Sequence, residues 1–175
     1  MDAPHPMGDN LGRWNVSRRI CQGEREVVRT RVYYADTDAG GVAYYANYLR
    51  WFEMARFEFV DELGLSVVDY ARRGVNFAVA HLEIDYRRPA LLGDEVRVLT
   101  DVEEVRRVRF TLNNRVVRCA DGQELVSARI TLACLDPAGR VLGLPVELAE
   151  RLRDRLQRTG DHPGDSGGGG QVVDS

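Results

Sequence analysis

One predicted helix constrains the possible fold of this chain more than any other feature of the sequence. Residues 45–63 carry apolar side chains at helical spacing, and the apolar surface extends around much of the helix. Such a helix needs other elements of the chain to surround it and bury it. Its apolar stripe consists of Tyr48, Trp51, Phe52, Ala55, Phe59 and Leu63, and Met54 and Phe57 widen it.

Five predicted strands supply the surface that can bury this helix. One precedes the helix and four alternating strands follow it, and a short helix at residues 146–157 begins after Pro145. Wrapping an antiparallel sheet around the long helix is the most economical packing, which predicts an α+β fold. Unpaired edge strands favour association, so we expect a homo-oligomer, a dimer or a tetramer. The predicted strands are residues 27–34, 75–87, 95–105, 108–118 and 124–135.

The two ends of the chain differ in composition from this body. The first residues are rich in Pro, Gly, Asn and Ser, and the last 17 residues contain six of the 17 glycines and no aromatic residue. Segments of this kind cannot bury enough apolar surface to offset the entropy lost on ordering. We therefore predict a flexible N-terminal segment at residues 1–25, a folded domain at 26–158 and a disordered glycine-rich tail at 159–175.

Composition and charge argue against several classes of function. The chain has 24 basic and 27 acidic residues, and a net charge of −3 disfavours nucleic-acid binding by bulk charge. No apolar run reaches the ~20 residues of a membrane-spanning helix, and no secretory signal is visible, so we expect no membrane span and a cytoplasmic location. All basic residues are Arg, which excludes Schiff-base lysine chemistry. The three cysteines lie far apart, so we expect neither a metal nor a redox cofactor.

The segment between the first strand and the long helix carries the residues that indicate chemistry. It has the sequence YYADTDAGGVAYYANY from residue 33 and places Asp36 and Asp38 in a loop that Gly40 and Gly41 allow to turn sharply. The helix start provides unpaired N–H groups and the positive end of the helix dipole. A carboxylate beside such donors suits hydrolysis of an ester-like carbonyl, because the donors stabilise the oxyanion while the carboxylate attacks or activates water.

Simpler interpretations of these residues stay open beside the catalytic one. Asp36 or Asp38 would also fit a helix N-cap or an Asx turn, and an Asp-x-Asp pair can bind a divalent cation. No further acidic residues cluster nearby in the sequence, which disfavours a metal site. His81 lies on a predicted strand between two apolar residues, and we interpret it as a packed or surface residue rather than a catalytic base.

The loop resembles that of the hotdog-fold acyl-CoA thioesterases of the 4-hydroxybenzoyl-CoA thioesterase class, and in particular the bacterial short-chain acyl-CoA thioesterases associated with the Tol-Pal system. The family pattern is an aromatic residue followed by x-D-T/C-D-x-x-G-V/I-V-x-x-x-x-Y. The resemblance covers about residues 26–157, including FEMAR from residue 52, IDYRRPA from residue 84 and Gly93-Asp94. The matching loop positions are Tyr34, Asp36, Thr37, Asp38, Gly41, Val42 and Tyr48.

The resemblance implies an antiparallel sheet wrapped around a central helix, and hydrolysis of an acyl-CoA thioester to free acid and CoA. It implies that Asp38 is the catalytic carboxylate, as nucleophile or general base, and that Asp36 braces the loop. It also implies that the backbone N–H of Tyr45 polarises the thioester carbonyl, and that Gly41 and Val42 contact the substrate. Many close relatives have His at the position of Tyr45, whereas the aromatic-substrate branch has Tyr there, as this chain does. Short aliphatic and aromatic acyl groups are therefore both open.

Coenzyme A carries phosphates, which arginine can bind through two hydrogen bonds at once. Arg87, Arg88 and Arg109 are candidates, and we prefer Arg106 and Arg107, which lie at a predicted strand turn. A non-catalytic module that binds acyl-CoA or acyl-carrier protein is the alternative to an enzyme, although a binder needs no carboxylate at the reacting carbon. A dehydratase-like lyase is disfavoured because the loop and the helix lack a histidine.

Overall fold

The computed structural model describes residues 26–160, so the predicted flexible segment at residues 1–25 and the tail from residue 161 lie outside the described residues. Within 26–160, no helix has the length and apolar character needed to cross a bilayer. The elements in chain order are β1 (Glu26–Arg31), a 3₁₀ turn (Tyr34–Asp36), α1 (Asn47–Glu62), α2 (Val67–Arg72), β2 (Asn76–Tyr86), β3 (Glu95–Val105), β4 (Arg109–Arg118), β5 (Glu124–Leu135) and α3 (Val146–Gly160).

The five strands form one antiparallel sheet in the order β1-β3-β4-β5-β2. β1 pairs with β3 up to Arg31 opposite Glu95, and β2 pairs with β5 up to Tyr86 opposite Val126. β1 and β2 are therefore the edge strands, and each has one side without a backbone partner in the described protomer. The α+β architecture predicted from the sequence is confirmed.

α1 is buried against the sheet, as the apolar stripe predicts. Trp51, Phe52, Ala55 and Phe59 are at most 1% exposed. Burial of each large apolar side chain contributes roughly 1.5–3 kcal/mol, so this one helix anchors the core. α3 packs against β3, where the guanidinium of Arg155 donates to Asp101 at 3.0 Å. The core therefore fixes the direction of α1 and, with it, the position of the loop that precedes the helix.

The structure differs from the sequence prediction at several boundaries. β1 ends at Arg31 rather than at residue 34, and α1 begins at Asn47 rather than at residue 45. α2 was not predicted, although Ser66 caps it by accepting the N–H of Asp69 at 3.3 Å. β2 does not keep the predicted alternation, because a bulge after Val79 shifts its register. α3 continues to Gly160, past the predicted end at residue 157.

Candidate active site

The loop between β1 and α1 is a tight hairpin with Asp38 at its tip. Thr37 and Ala43 form an isolated antiparallel bridge. The N–H of Asp38 donates to the carbonyl of Val42 at 2.9 Å, and the N–H of Gly41 donates to the carbonyl of Asp38 at 3.0 Å. Gly41 has φ of 73°, a left-handed conformation that favours glycine. The glycine at this position therefore allows the turn that presents Asp38.

The carboxylate of Asp38 is exposed and fixed at one oxygen. Its Oδ1 accepts the N–H of Gly40 at 2.7 Å, which makes an Asx turn. Its Oδ2 has no hydrogen-bond partner among residues 26–160. A Cβ on Gly40 would lie 3.1 Å from Oδ1, so a side chain at that position would crowd the carboxylate. The Asx turn and a catalytic role are compatible, because the turn orients one oxygen and leaves the other accessible.

Asp36 connects the segment before the hairpin, the segment after it and the start of α1. It is 4% exposed. Its Oδ1 accepts the guanidinium of Arg50 at 2.8 Å, and its Oδ2 accepts the N–H of Tyr33 at 3.0 Å. Its carbonyl accepts the N–H of Tyr44 and the side-chain amide of Asn47, both at 2.8 Å. These contacts are those of a structural brace.

The start of α1 provides unpaired donors next to this loop. In the part of the chain that the structure describes, the N–H of Tyr45 donates to no acceptor. The carbonyl of Tyr45 accepts the hydroxyl of Tyr86 at 3.1 Å, which holds the peptide against the end of β2. Ala46 is the N-cap residue and supplies no side-chain cap. The N–H of Tyr45 and the positive helix end are therefore available to a developing oxyanion.

The connection between β2 and β3 supports the hairpin from behind. The N–H of Ala43 donates to the carbonyl of Ala90 at 2.8 Å, and the N–H of Ala90 donates to the hydroxyl of Tyr48 at 2.9 Å. Burial raises the pKa of the Tyr48 phenol above its usual value. Asp94 fixes the same connection, since its Oδ2 accepts Nε of Arg118 at 2.9 Å. From the sequence, Tyr48 belongs to the apolar stripe and to the loop motif, and Asp94 belongs to the resemblance without a stated role.

Two apolar features lie close to the loop. A cavity of about 250 Å³ lies between α1 and strands β2, β4 and β5. Leu49 lines it from the first turn of α1, four residues beyond Tyr45, and Leu82 lines it from β2. Exposed large apolar side chains also lie in the loop and in the segments that contact it, as is typical of binding sites. These are Tyr33, Tyr34, Tyr44, Tyr45, Tyr86, Leu91 and Leu92.

Comparison with known proteins establishes the family. The model of the thioesterase-like superfamily matches residues 32–156. The chain belongs to the thioesterase-like superfamily. A putative esterase of Synechocystis (sll0410) is 32% identical over 151 residues, which cover 85% of this chain and 91% of that protein. The acyl-CoA thioester hydrolase YbgC of Escherichia coli O6:H1 is 35% identical over 107 residues, 61% of this chain and 79% of that protein.

Solved structures support the same assignment for this member of the thioesterase-like superfamily. The structure of a 1,4-dihydroxy-2-naphthoyl-CoA thioesterase from Synechocystis (Slr0204) matches with a TM-score of 0.67 at 26% identity, over 77% of this chain and 96% of that one. The hotdog fold implied by the loop motif is thereby confirmed.

The candidate arginines for CoA binding lie at two opposite ends of the sheet in this thioesterase-like domain. Arg106 and Arg107 lie in the turn after β3, where the guanidinium of Arg106 pairs with Glu104 at 2.6 Å. β3 has 11 residues, and at about 3.3 Å per residue it places this turn roughly 35 Å from the end beside the loop. Arg87 and Arg88 instead follow Tyr86 directly. A single protomer therefore does not bring Arg106 and Arg107 to Asp38.

The remaining sequence interpretations concern metals and histidine. Among residues 26–160, no three His, Cys, Asp or Glu side chains lie close enough together to hold a metal ion. The His81 side chain is 59% exposed and lies 3.2 Å from the carboxylate of Glu83 on the edge strand β2. The structure therefore places His81 at the surface, one of the two positions predicted for it.

Proposed function

We propose that this thioesterase-like protein hydrolyses acyl-CoA thioesters to a free acid and CoA, with Asp38 as the catalytic carboxylate and the N–H of Tyr45 as the donor to the carbonyl oxygen. The observation that carries the proposal is an exposed carboxylate with one oxygen held by Gly40, in the same short loop as an unpaired N–H at a helix start. Relatives named as acyl-CoA thioesterases support the thioester as substrate.

The reaction needs only groups of this chain and water. The thioester carbonyl oxygen lies against the N–H of Tyr45 and the positive end of α1, which stabilise the charge that develops on it. Asp38 either attacks the carbonyl carbon, forming an anhydride that water then cleaves, or removes a proton from the attacking water. In both cases the C–S bond breaks, CoA leaves as a thiolate that takes up a proton, and the acyl group leaves as the acid.

The surroundings of the loop fit the two parts of the substrate. Gly41 and Val42 form the wall of the hairpin beside Asp38, and the apolar cavity that begins at Leu49 is the proposed place for the acyl group. We also propose the cytoplasmic location that the sequence predicts.

The purified protein is expected to release CoA from acyl-CoAs, measured as free thiol, at turnover numbers of about 1–10³ s⁻¹ for its preferred acyl group. The panel should include acetyl, butyryl, isobutyryl, decanoyl and benzoyl thioesters, which separates short aliphatic from aromatic preference. Binding of these thioesters without turnover of any of them would contradict the enzyme and favour the non-catalytic acyl-CoA binding module.

We also propose that the protein is a homo-oligomer built by pairing of β2 with β2 of a second copy. Most residues of β2 are exposed, and its outer edge is unpaired in the described protomer. Antiparallel pairing would bring the Tyr86 end of one copy next to the Asn76 end of the other. The turn with Arg106 and Arg107 lies at that second end of the sheet, because β4 begins opposite Ala133 of β5. Those two arginines would then reach the CoA phosphates only from the second copy.

Placing arginines along this edge is expected to separate the copies and to weaken catalysis. The exposed pair Ala78→Arg with Ala80→Arg would place two bulky charged side chains on the pairing edge, which opposes pairing with another strand. Light scattering should show a dimer or tetramer of the 19.7 kDa chain for the wild type and a monomer for the variant, with a raised KM. Ala138→Arg, in an exposed turn, is the matched control. A wild type that is monomeric at micromolar concentration would contradict the proposal.

A further inference from the structure

A groove of about 370 Å³ lies between the edge strand β1 and the helix α1. Val28 lines it from β1, and Met54 and Phe57 line it from α1. Met54 and Phe57 are half-buried, so the described part of the chain leaves some of their apolar surface uncovered. An engineered cavity of about 150 Å³ already holds a benzene molecule, so this groove has room for an aromatic side chain.

One carboxylate of the groove has no partner of opposite charge. Arg29, Arg50 and Glu53 also line the groove, and each forms an ion pair with a neighbouring side chain. Glu58 lines it as well but forms no ion pair among residues 26–160. The groove therefore offers apolar surface together with one free negative charge. It fits an apolar segment that carries a basic residue.

The edge of β1 next to this groove is open. The strand order leaves β1 with β3 as its only neighbour in the described sheet, and no residue of β3 lines the groove. An open strand edge readily accepts another strand, whose backbone then forms hydrogen bonds with it. β1 begins at Glu26, two residues before Val28. The chain that precedes β1 therefore enters the fold next to the groove.

The segment at residues 14–21 has the sequence pattern of a strand that would fit this position. It lies outside the described residues and reads WNVSRRIC. Side chains of a strand alternate between its two faces, so one face of this segment would carry three apolar residues and one arginine. A glycine at position 23 allows the chain to turn before β1 begins. The residues of that face are Trp14, Val16, Arg18 and Ile20.

We propose that residues 14–21 fold back at Gly23 and add an antiparallel strand to the open edge of β1, with their apolar face over the groove. Arg18 then supplies the positive charge that Glu58 lacks. The segment also covers Arg50, whose guanidinium braces Asp36. The proposal does not depend on the proposed catalysis, and it restricts the predicted flexible segment to the residues before Trp14.

Tryptophan fluorescence of the full-length chain tests this docking. Trp14 and Trp51 are the only two tryptophans, so the Trp51→Phe protein reports on Trp14 alone. Met54→Gln with Phe57→Gln in that protein removes the apolar floor of the groove, and glutamine keeps a good helix propensity. We expect acrylamide to quench Trp14 roughly threefold less efficiently with the intact groove than in this groove variant, because docking keeps the indole from solvent for most of the time.

Two controls make the fluorescence result specific. Val68→Gln with Val146→Gln removes two exposed apolar side chains from α2 and α3 and should leave the quenching unchanged. Trp51 is fully buried, so Trp51→Phe could impair folding. In that case the difference between the wild type and Trp14→Phe gives the signal of Trp14 without a change in the core. Equal quenching of Trp14 with the intact and the altered groove overturns the proposal.

Hydrogen exchange of the full-length protein tests the added strand itself. The amides of residues 15–21 should exchange roughly tenfold more slowly in the wild type than in the groove variant, because strand pairing protects them. Equal exchange rates in the two proteins overturn the proposal. Protection that is independent of protein concentration supports docking within one chain. Protection that is lost when the protein is diluted to the monomer shows that a second copy covers the groove, which also overturns the proposal.

Discussion

Replacing Asp38 with Asn is expected to lower kcat for acyl-CoA hydrolysis by about 10²–10⁴-fold, the range for loss of a positioned acid–base group. The amide cannot attack the carbonyl carbon or remove a proton from water. Its oxygen can still accept the N–H of Gly40, which Asp38 now binds at 2.7 Å, so the hairpin should keep its conformation. The side chain is exposed, and the melting temperature should therefore change little.

The measurement compares kcat and KM by thiol release with the dissociation constant of the same thioester. Asp61→Asn is the matched control, since Asp61 is also an exposed aspartate but lies in the last turn of α1. We expect the control to retain wild-type rates and Asp38→Asn to bind thioester without turnover. An Asp38→Asn variant with more than about a third of the wild-type kcat would exclude Asp38 as the catalytic carboxylate.

Replacing Asp36 with Ala is expected to destabilise the protein by about 2–3 kcal/mol and also to lower kcat/KM. Hydrogen bonds to charged groups contribute about 1.5–3 kcal/mol each when a partner is removed, and exposure of Arg50 to water offsets part of the loss. The carboxylate accepts Arg50 and the N–H of Tyr33, so its removal frees the limb of the loop that leads to Asp38. Denaturant unfolding gives the stability, and thiol release gives the rate.

Asp136 provides a matched control for this prediction. Its carboxylate accepts the N–H groups of Ala138 and Arg140 at 2.9 and 2.8 Å and the guanidinium of Arg140 at 2.7 Å, in the turn between β5 and α3. Asp136→Ala should therefore reduce stability without changing kcat/KM. If Asp36→Ala also left catalysis unchanged, the brace would support the fold but not the position of Asp38.

Local patterns were enough to predict the long helix and most strands. The apolar stripe of α1 is the face that the structure buries, since a 3.6-residue period determines which side chains share a helix face. The errors fall where a turn contact ends a strand early or where a helix is too short to show a period. The predicted first strand extends to residue 34, but the carboxylate of Asp36 turns Tyr33 and Tyr34 out of the strand. α2 was missed because six residues are too few to show a helical period.

The sequence by itself determined the elements and the loop that holds Asp38, because periodicity and turn-forming glycines act between neighbouring residues. Only the tertiary structure decided which distant groups meet that loop. The strand order places Arg106 and Arg107 at the far end of the sheet and Tyr86 beside Tyr45. Arg56 of α1 lines an apolar cavity to which β2, β4 and β5 also contribute side chains. Such contacts join segments far apart in the chain, and their geometry depends on how the whole sheet closes around the helix.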